Sequence, residues 1–458
     1  MEYRVAFIEP EVVYPVLIPN TGMNLGLLKI AGALKRNYPN IHSFFWSEQI
    51  EKAGKEIANL EAETFETFLK RTSPDCCFIS ALTCQVDRAR ELCEIAKSMG
   101  VSTVALGGHF VSGVGELICK RLSGFDIFIS GPGEETIVSI IENLLSHKPI
   151  PSYLSVDYRK KLSEDIFSVE PDFSIFPHDK AVSLGLAATM ELSRGCNNHC
   201  KFCTLIEHSR GIAYESPARV KNYAKFFIQQ GYKKAIICDD TFVISSRTLK
   251  QLKGMDFSKQ LLQKTVLTRV DCINPETAKQ FARHQVREVI LGVEHIDAGI
   301  LKNMNKTLVP EDWAKIAQKA IACLSDYGIV SHPIFMLGWP GETTDTLLRL
   351  TEFAVSIGSD DLVQPFVSFC TPHPGSYLWK NRKKIGICLL PASLKSYTHL
   401  SPVAYPESLG NDDNALRRLV DAHNTIRVET GVSDRNPVID IANPYILGSY
   451  EDLHMWDE

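Results

Sequence analysis

The chain has 458 residues, 45% hydrophobic and 22% charged, with 49 Lys and Arg against 54 Asp and Glu and a formal net charge of -5. That near balance speaks against nucleic acid or an anionic membrane as partner, and no long apolar run or signal-peptide pattern occurs, so a cytoplasmic enzyme is expected. Such a length can bury more than one core, and thirteen cysteines without a secretion signal read as reduced thiols and metal ligands.

The first stretch, residues 1–146, opens with the apolar run Val5 to Ile8 and a helical pattern over Leu25 to Leu34. Further apolar runs follow at Cys76 to Ile79, Val101 to Leu106 and Phe125 to Ile129, with helical segments between and after them. Short apolar strands separated by helices predict an α/β unit with a doubly wound parallel sheet. Ligands of such sheets sit beyond the carboxyl ends of the strands. The loops there are Ser80-Ala81-Leu82-Thr83, Gly107-Gly108-His109-Phe110-Val111-Ser112 and Gly131-Pro132-Gly133-Glu134-Glu135-Thr136, whose glycines let backbone approach a large ligand.

Residues 147–185 carry Pro149, Pro151, Pro171 and Pro177 without a sustained period and are expected as a linker packing over a neighbour. A second alternation of strands and helices then fills residues 186–376. It starts with a strand at Thr189 to Leu192 and a helix capped by Ser216 and Pro217 and closed by Gly231. Strands follow at Ala235 to Cys238, Thr265 to Val270, Val289 to Val293, Val330 to Leu337 and Leu362 to Phe369. Six strands with their helices predict a partial (βα)6 barrel whose chemistry lies at the strand carboxyl ends. Residues 377–458 show one amphipathic helix near Ala415 to Arg427 and are expected to form a lid.

Between the first strand of the second series and its helix lies Arg194-Gly195-Cys196-Asn197-Asn198-His199-Cys200-Lys201-Phe202-Cys203, three cysteines spaced C-x3-C-x2-C. A structural zinc site with His199 or His208 as fourth ligand is one reading of such a cluster. Three thiolates also suit a cubane with four iron corners, leaving one iron open for a bidentate amino acid group.

The spacing, with an aromatic before the last cysteine, resembles the radical S-adenosylmethionine (SAM) superfamily. The resemblance implies a [4Fe-4S] cluster on Cys196, Cys200 and Cys203, electrons from an external reductant such as flavodoxin or ferredoxin, and cleavage of SAM to methionine and a 5'-deoxyadenosyl radical. It also implies a SAM cradle. Asp239 or Asp240 would hold the amino group, Arg269 the carboxylate and Glu294 the ribose, while Met336 and Leu337 would pass the adenine. The first stretch resembles the cobalamin-binding domain that precedes many such enzymes. This implies cobalamin contacts from Ser80, Thr83, Gly107, Gly108, Ser112, Gly131, Gly133 and Glu134. The chain departs from that family at Pro132, where glutamate is common, and lacks the D-x-H-x-x-G segment, so no histidine is expected on the cobalt's lower face. Cys370-Thr371-Pro372-His373-Pro374-Gly375-Ser376 resembles a stretch common where both domains occur together.

Together these resemblances imply a cobalamin-dependent radical SAM methyltransferase acting on an unactivated carbon of a small molecule, with Tyr214 and His373 as candidate proton or hydrogen donors. The alternative is a radical SAM lyase or dehydratase acting on a sugar-like diol, with the first domain as scaffold.

Overall fold

A computed structural model describes residues 3–12, 23–157, 167–204, 211–255, 262–390, 394, 397–398, 402–410 and 413–431. The chain divides into two compact units, one running to Thr189 and the other starting at Met190.

The first unit is a six-stranded sheet. Its strands are β1 (Arg4–Glu9), β2 (His42–Ser47), β3 (Cys76–Ser80), β4 (Thr103–Gly107), β5 (Ile127–Ser130) and β6 (Tyr153–Ser155). The order is β2-β1-β3-β4-β5-β6 and every pair is parallel. The expected strands are all present. β2 and β6 are additions: β2 begins with polar residues before Phe44-Phe45-Trp46, and β6 is a three-residue edge strand inside the segment read as irregular. The order reverses at β1, where β2 pairs on one side and β3 on the other, and it is there that an open α/β sheet leaves a crevice. The ends of β1 and β3 are tied together by Gln85, whose Nε2 donates to the Pro10 carbonyl at 2.6 Å while its Oε1 accepts from the Leu82 N–H at 2.9 Å.

The helix Leu25–Asn37 packs beneath the segment before the second unit. Gly32 leaves no room for a Cβ, which would meet the Glu170 carbonyl oxygen at 1.8 Å. Lys35 pairs with Asp172 at 2.9 Å, and the Asp172 N–H donates to the Leu28 carbonyl.

The second sheet has six strands in sequential order. These are β7 (Ala188–Met190), β10 (Lys234–Ile237), β11 (Gln263–Arg269), β12 (Val286–Glu294), β13 (Val330–Leu337) and β14 (Phe366–Phe369), with helices at each crossover, as in an open (βα)6 barrel. Two short strands, β8 (Ser193–Arg194) and β9 (Ala213–Tyr214), form an antiparallel pair between β7 and β10. The helix Pro217–Gln229 shows the predicted start: Ser216 Oγ accepts from the Arg219 N–H at 3.2 Å, Pro217 follows, and Val220, Ala224 and Phe227 are buried. After the barrel, residues expected to hold only one helix also form the antiparallel pair β15 (Ile387–Leu389) and β16 (Ala404–Pro406). The helix Asp413–Glu429 lies beside the helix Thr344–Ile357 and β14.

Candidate functional site

The three cysteines sit on the excursion that leaves β8 and returns at β9, where Ser193 faces Tyr214 and Arg194 faces Ala213. Gly195 takes a φ of +106°, and a Cβ there would meet the Gly211 carbonyl oxygen at 2.2 Å, so the loop's neck accepts glycine alone. Three successive anchors come from the end of β10. Asp239, buried, accepts from the Leu192 N–H at 2.7 Å and the Ser193 hydroxyl at 2.6 Å. Asp240 accepts from the Gly195 N–H at 2.7 Å. Burial raises the Asp239 carboxyl to about 7 against the pull of those hydrogen bonds. The far side of the loop is tied to the rest of the barrel and to the segment after it: the Lys201 N–H donates to the Met304 carbonyl, Asn305 Nδ2 to the His199 carbonyl, and the Leu378 N–H to the Lys201 carbonyl.

Cys200 is buried, while Cys196 and Cys203 are half-buried. Phe202 stands edge-on to Trp339, with ring centroids 6.3 Å apart, against an apolar cluster that includes Met304, Met336, Cys370 and Leu378. The Cys196 sulfur accepts from the Asn198 N–H and Nδ2, and Arg269 Nη1 lies 3.8 Å from the Cys200 sulfur. Burial pushes the Cys200 thiol up, and the Lys306 and Arg269 cations pull it back down. Among the described residues, no three His, Cys, Asp or Glu side chains converge on one point as ligands of a single ion do. A cubane asks for less convergence, because each thiolate takes its own iron, and the donor set of three cysteines under two cations fits one. His199 is exposed on the loop, and His208 lies outside the described residues.

The other expected residues stand at strand ends of this unit. Arg269 ends β11, buried; its Nε and Nη2 reach Asp271 at 2.9 and 2.7 Å, and Nη2 also reaches the Lys306 carbonyl. Glu294 ends β12 with a φ of +68°, and its Oε1 meets Lys306 Nζ at 3.1 Å. Gly292 makes room for that pair, since a Cβ on it would lie 2.9 Å from both atoms. Met336 belongs to the apolar cluster and Leu337 is fully buried in β13. Tyr214 lies on β9 with Arg247 over its ring, and half-buried His373 lies in the turn after β14, where its carbonyl accepts from the Ser376 N–H and hydroxyl.

In the first unit, Ser80 and buried Thr83 flank the end of β3. Three of the loop glycines have partners inside the protein. A Cβ on Gly108 would meet Ala81 O at 2.6 Å, one on Gly131 the Val156 carbonyl oxygen at 2.2 Å, and one on Gly133 the Ile30 Cδ1 at 2.8 Å. Gly107 is looser, with its nearest neighbour at 3.6 Å. Ser112 links two loops, its Oγ bonding the Gly108 carbonyl at 3.1 Å and accepting from the Gly131 N–H at 3.0 Å. Glu134 opens the helix Glu134–Leu145. The glycines expected to admit a ligand thus also let neighbouring backbone and side chains close on them.

Residues 190–354 match the model of the Radical SAM superfamily. This stretch is a radical SAM domain. Over 414 residues the chain is 25% identical to an uncharacterized methyltransferase, PH0819, of Pyrococcus horikoshii, covering 84% of each. The structure of the radical SAM methyltransferase TsrM from Kitasatospora setae, solved with cobalamin and a [4Fe-4S] cluster, is similar at a TM-score of 0.71 and 14% identity, over 97% of this chain and 92% of that one. OxsB, a cobalamin-dependent SAM radical enzyme solved with aqua-cobalamin, is similar at a TM-score of 0.60 and 16% identity, over 84% of this chain and 55% of that one. At these identities the two structures speak for the fold: α/β, with parallel six-stranded sheets. The domain match and the methyltransferase relative support an enzyme of the radical SAM class.

Two features of the radical SAM domain escape a reading of the sequence. Lys306, in the loop after the helix Ala298–Met304, is buried between Glu294, Phe202 and Trp313. His295 and Glu342 are both fully buried and joined at 3.0 Å. Nδ1 of His295 accepts from the Asp297 N–H, which leaves Nε2 to donate to Glu342 Oε1, and Oε2 of Glu342 accepts from the Gly338 N–H. The Gly338-Trp339-Pro340-Gly341 turn is thereby pinned to the end of β12.

Proposed function

We propose that this chain is a cobalamin-dependent radical SAM methyltransferase that methylates an unactivated carbon of a small-molecule substrate through a 5'-deoxyadenosyl radical. The observation that carries the reading is one chain with two devices: a cysteine loop braced by Asp239 and Asp240 beneath Arg269 and Lys306, and a β2-β1-β3-β4-β5-β6 sheet with glycine loops at its strand ends. When bound, a [4Fe-4S] cluster on Cys196, Cys200 and Cys203 supplies the electron that splits SAM, and cobalamin supplies a transferable methyl group.

The residues divide the work. Asp239 holds the loop through Leu192 and Ser193 and Asp240 holds it through the Gly195 N–H, and the SAM ammonium group is assigned to this pair of carboxylates. Arg269, already turned toward the Cys200 sulfur, presents a guanidinium to the SAM carboxylate. Glu294, steadied by Lys306, accepts from the ribose hydroxyls. Met336, Leu337 and the wall formed by Phe202 and Trp339 receive the adenine and exclude water. Ser80, Thr83, Gly107, Gly108, Ser112, Gly131, Gly133 and Glu134 are assigned to cobalamin. Tyr214 and His373 are the candidate donors to a substrate. A one-electron reductant such as flavodoxin or ferredoxin and a cytoplasmic location complete the reading.

Anaerobic reconstitution with iron, sulfide and hydroxocobalamin, followed by gel filtration and an absorption spectrum, tests the cobalamin assignment. The corrinoid is expected to coelute with the chain stoichiometrically. Elution of all corrinoid with the small molecules, from protein that carries its iron and sulfide, contradicts it.

A further inference from the structure

The sulfur of Cys196 is the target of two N–H groups from one residue. Asn198 points its backbone N–H at it from 3.5 Å and its side-chain Nδ2 from 3.3 Å. Thr241 Oγ1 also lies 3.4 Å from this sulfur, but its single proton goes to the Asp240 carbonyl at 2.7 Å, so of these two residues Asn198 is the donor. Asn198 is exposed, so its orientation toward Cys196 is not imposed by burial. At the neighbouring corner, Arg269 Nη1 stands 3.8 Å from the Cys200 sulfur.

A cluster on these thiolates gains one negative charge on reduction. Hydrogen bonds to its sulfurs and nearby positive charge stabilise the more negative state and raise the potential. We propose that Asn198 is a positioning residue that raises the reduction potential of a cluster held on Cys196, Cys200 and Cys203 by donating hydrogen bonds to the Cys196 sulfur. The inference rests on the radical SAM assignment of these cysteines and adds a residue that neither ligates the cluster nor belongs to the SAM cradle. Its consequence is that a given reductant loads more electrons onto this cluster than onto one lacking the donor.

The test is a potentiometric titration of the reconstituted protein without SAM, followed by electron paramagnetic resonance, on wild type, Asn198→Ala and Asn198→Asp, with iron and sulfide measured on each. All three are expected to carry the same iron and sulfide. Asn198→Ala is expected to lower the equilibrium constant for reduction about tenfold, equivalent to ~59 mV for a one-electron couple. Asn198→Asp should lower it further, because it replaces a donor with a negative charge. Equal potentials in the three proteins at full iron content overturn the proposal. So does loss of iron in the variants alone, which would make Asn198 a loop brace. Failure of wild type to take up iron and sulfide would instead overturn the radical SAM assignment of the cysteines.

Discussion

Replacing Cys200 with alanine is expected to give a folded protein that holds no intact cluster and cleaves SAM no faster than background. The side chain is buried, and Arg269 and Lys306 gather around its sulfur, so it is the corner where the protein has concentrated positive charge. Two remaining thiolates leave two irons of a cubane without protein ligands. The fold should survive, because the loop is held by main-chain bonds that alanine preserves. The Cys203 N–H donates to the Cys200 carbonyl at 3.0 Å, and the Lys201 N–H to the Met304 carbonyl at 2.9 Å. Iron and sulfide content, the absorption spectrum and 5'-deoxyadenosine formation check this together. Sustained SAM cleavage in Cys200→Ala would remove the cluster from its assigned place.

Lys306→Met is expected to destabilise the radical SAM domain by about 3–5 kcal/mol, the cost of leaving one member of a buried ion pair alone. The Lys306 and Glu294 side chains are 4% and 10% exposed, so water cannot replace the lost partner. Glu294 cannot easily turn away either, since it sits at a φ of +68° where β12 ends. Adding Glu294→Gln removes the stranded charge, and the double variant is expected to recover most of the stability but not SAM binding. Denaturant titration of the anaerobically reconstituted protein, followed by tryptophan fluorescence, reads this directly, because the Trp313 ring lies 6.0 Å from Lys306 Nζ. A loss below about 1 kcal/mol, the scale of an exposed pair, would contradict the view of Lys306 as the partner that holds Glu294.

Most of the scaffold is legible in the sequence because apolar runs bounded by Gly, Pro and capping residues leave little choice of element. Val330 to Leu337 is a strand from end to end, and Ser216-Pro217 and Asn274-Pro275 start helices as their chemistry requires. β2 was hidden because half of it is polar and partly exposed, and β6 because three residues carry no period. In the site, residue types at strand ends are legible but their partners are not. Asp239 and Asp240 could be placed after a strand, yet nothing local tells that Asp239 spends both oxygens on the loop that carries the cysteines. His295 and Glu342 are 47 residues apart, and Lys306 lies in a short loop between helices, where a lysine reads as solvated. Long-range pairing of polar groups leaves no periodic trace, so these residues emerge only when the strand ends are brought together.

In the proposed function the cysteine loop splits SAM and the first unit turns the resulting radical to methyl transfer. The most direct test is mass analysis of the SAM-derived products from reconstituted, cobalamin-loaded protein incubated anaerobically with reductant and a panel of small-molecule substrates. The expected result is 5'-deoxyadenosine and S-adenosylhomocysteine formed together, with a substrate that gains one methyl group. 5'-Deoxyadenosine alone, with a substrate that loses water and gains no methyl, would contradict it and favour elimination.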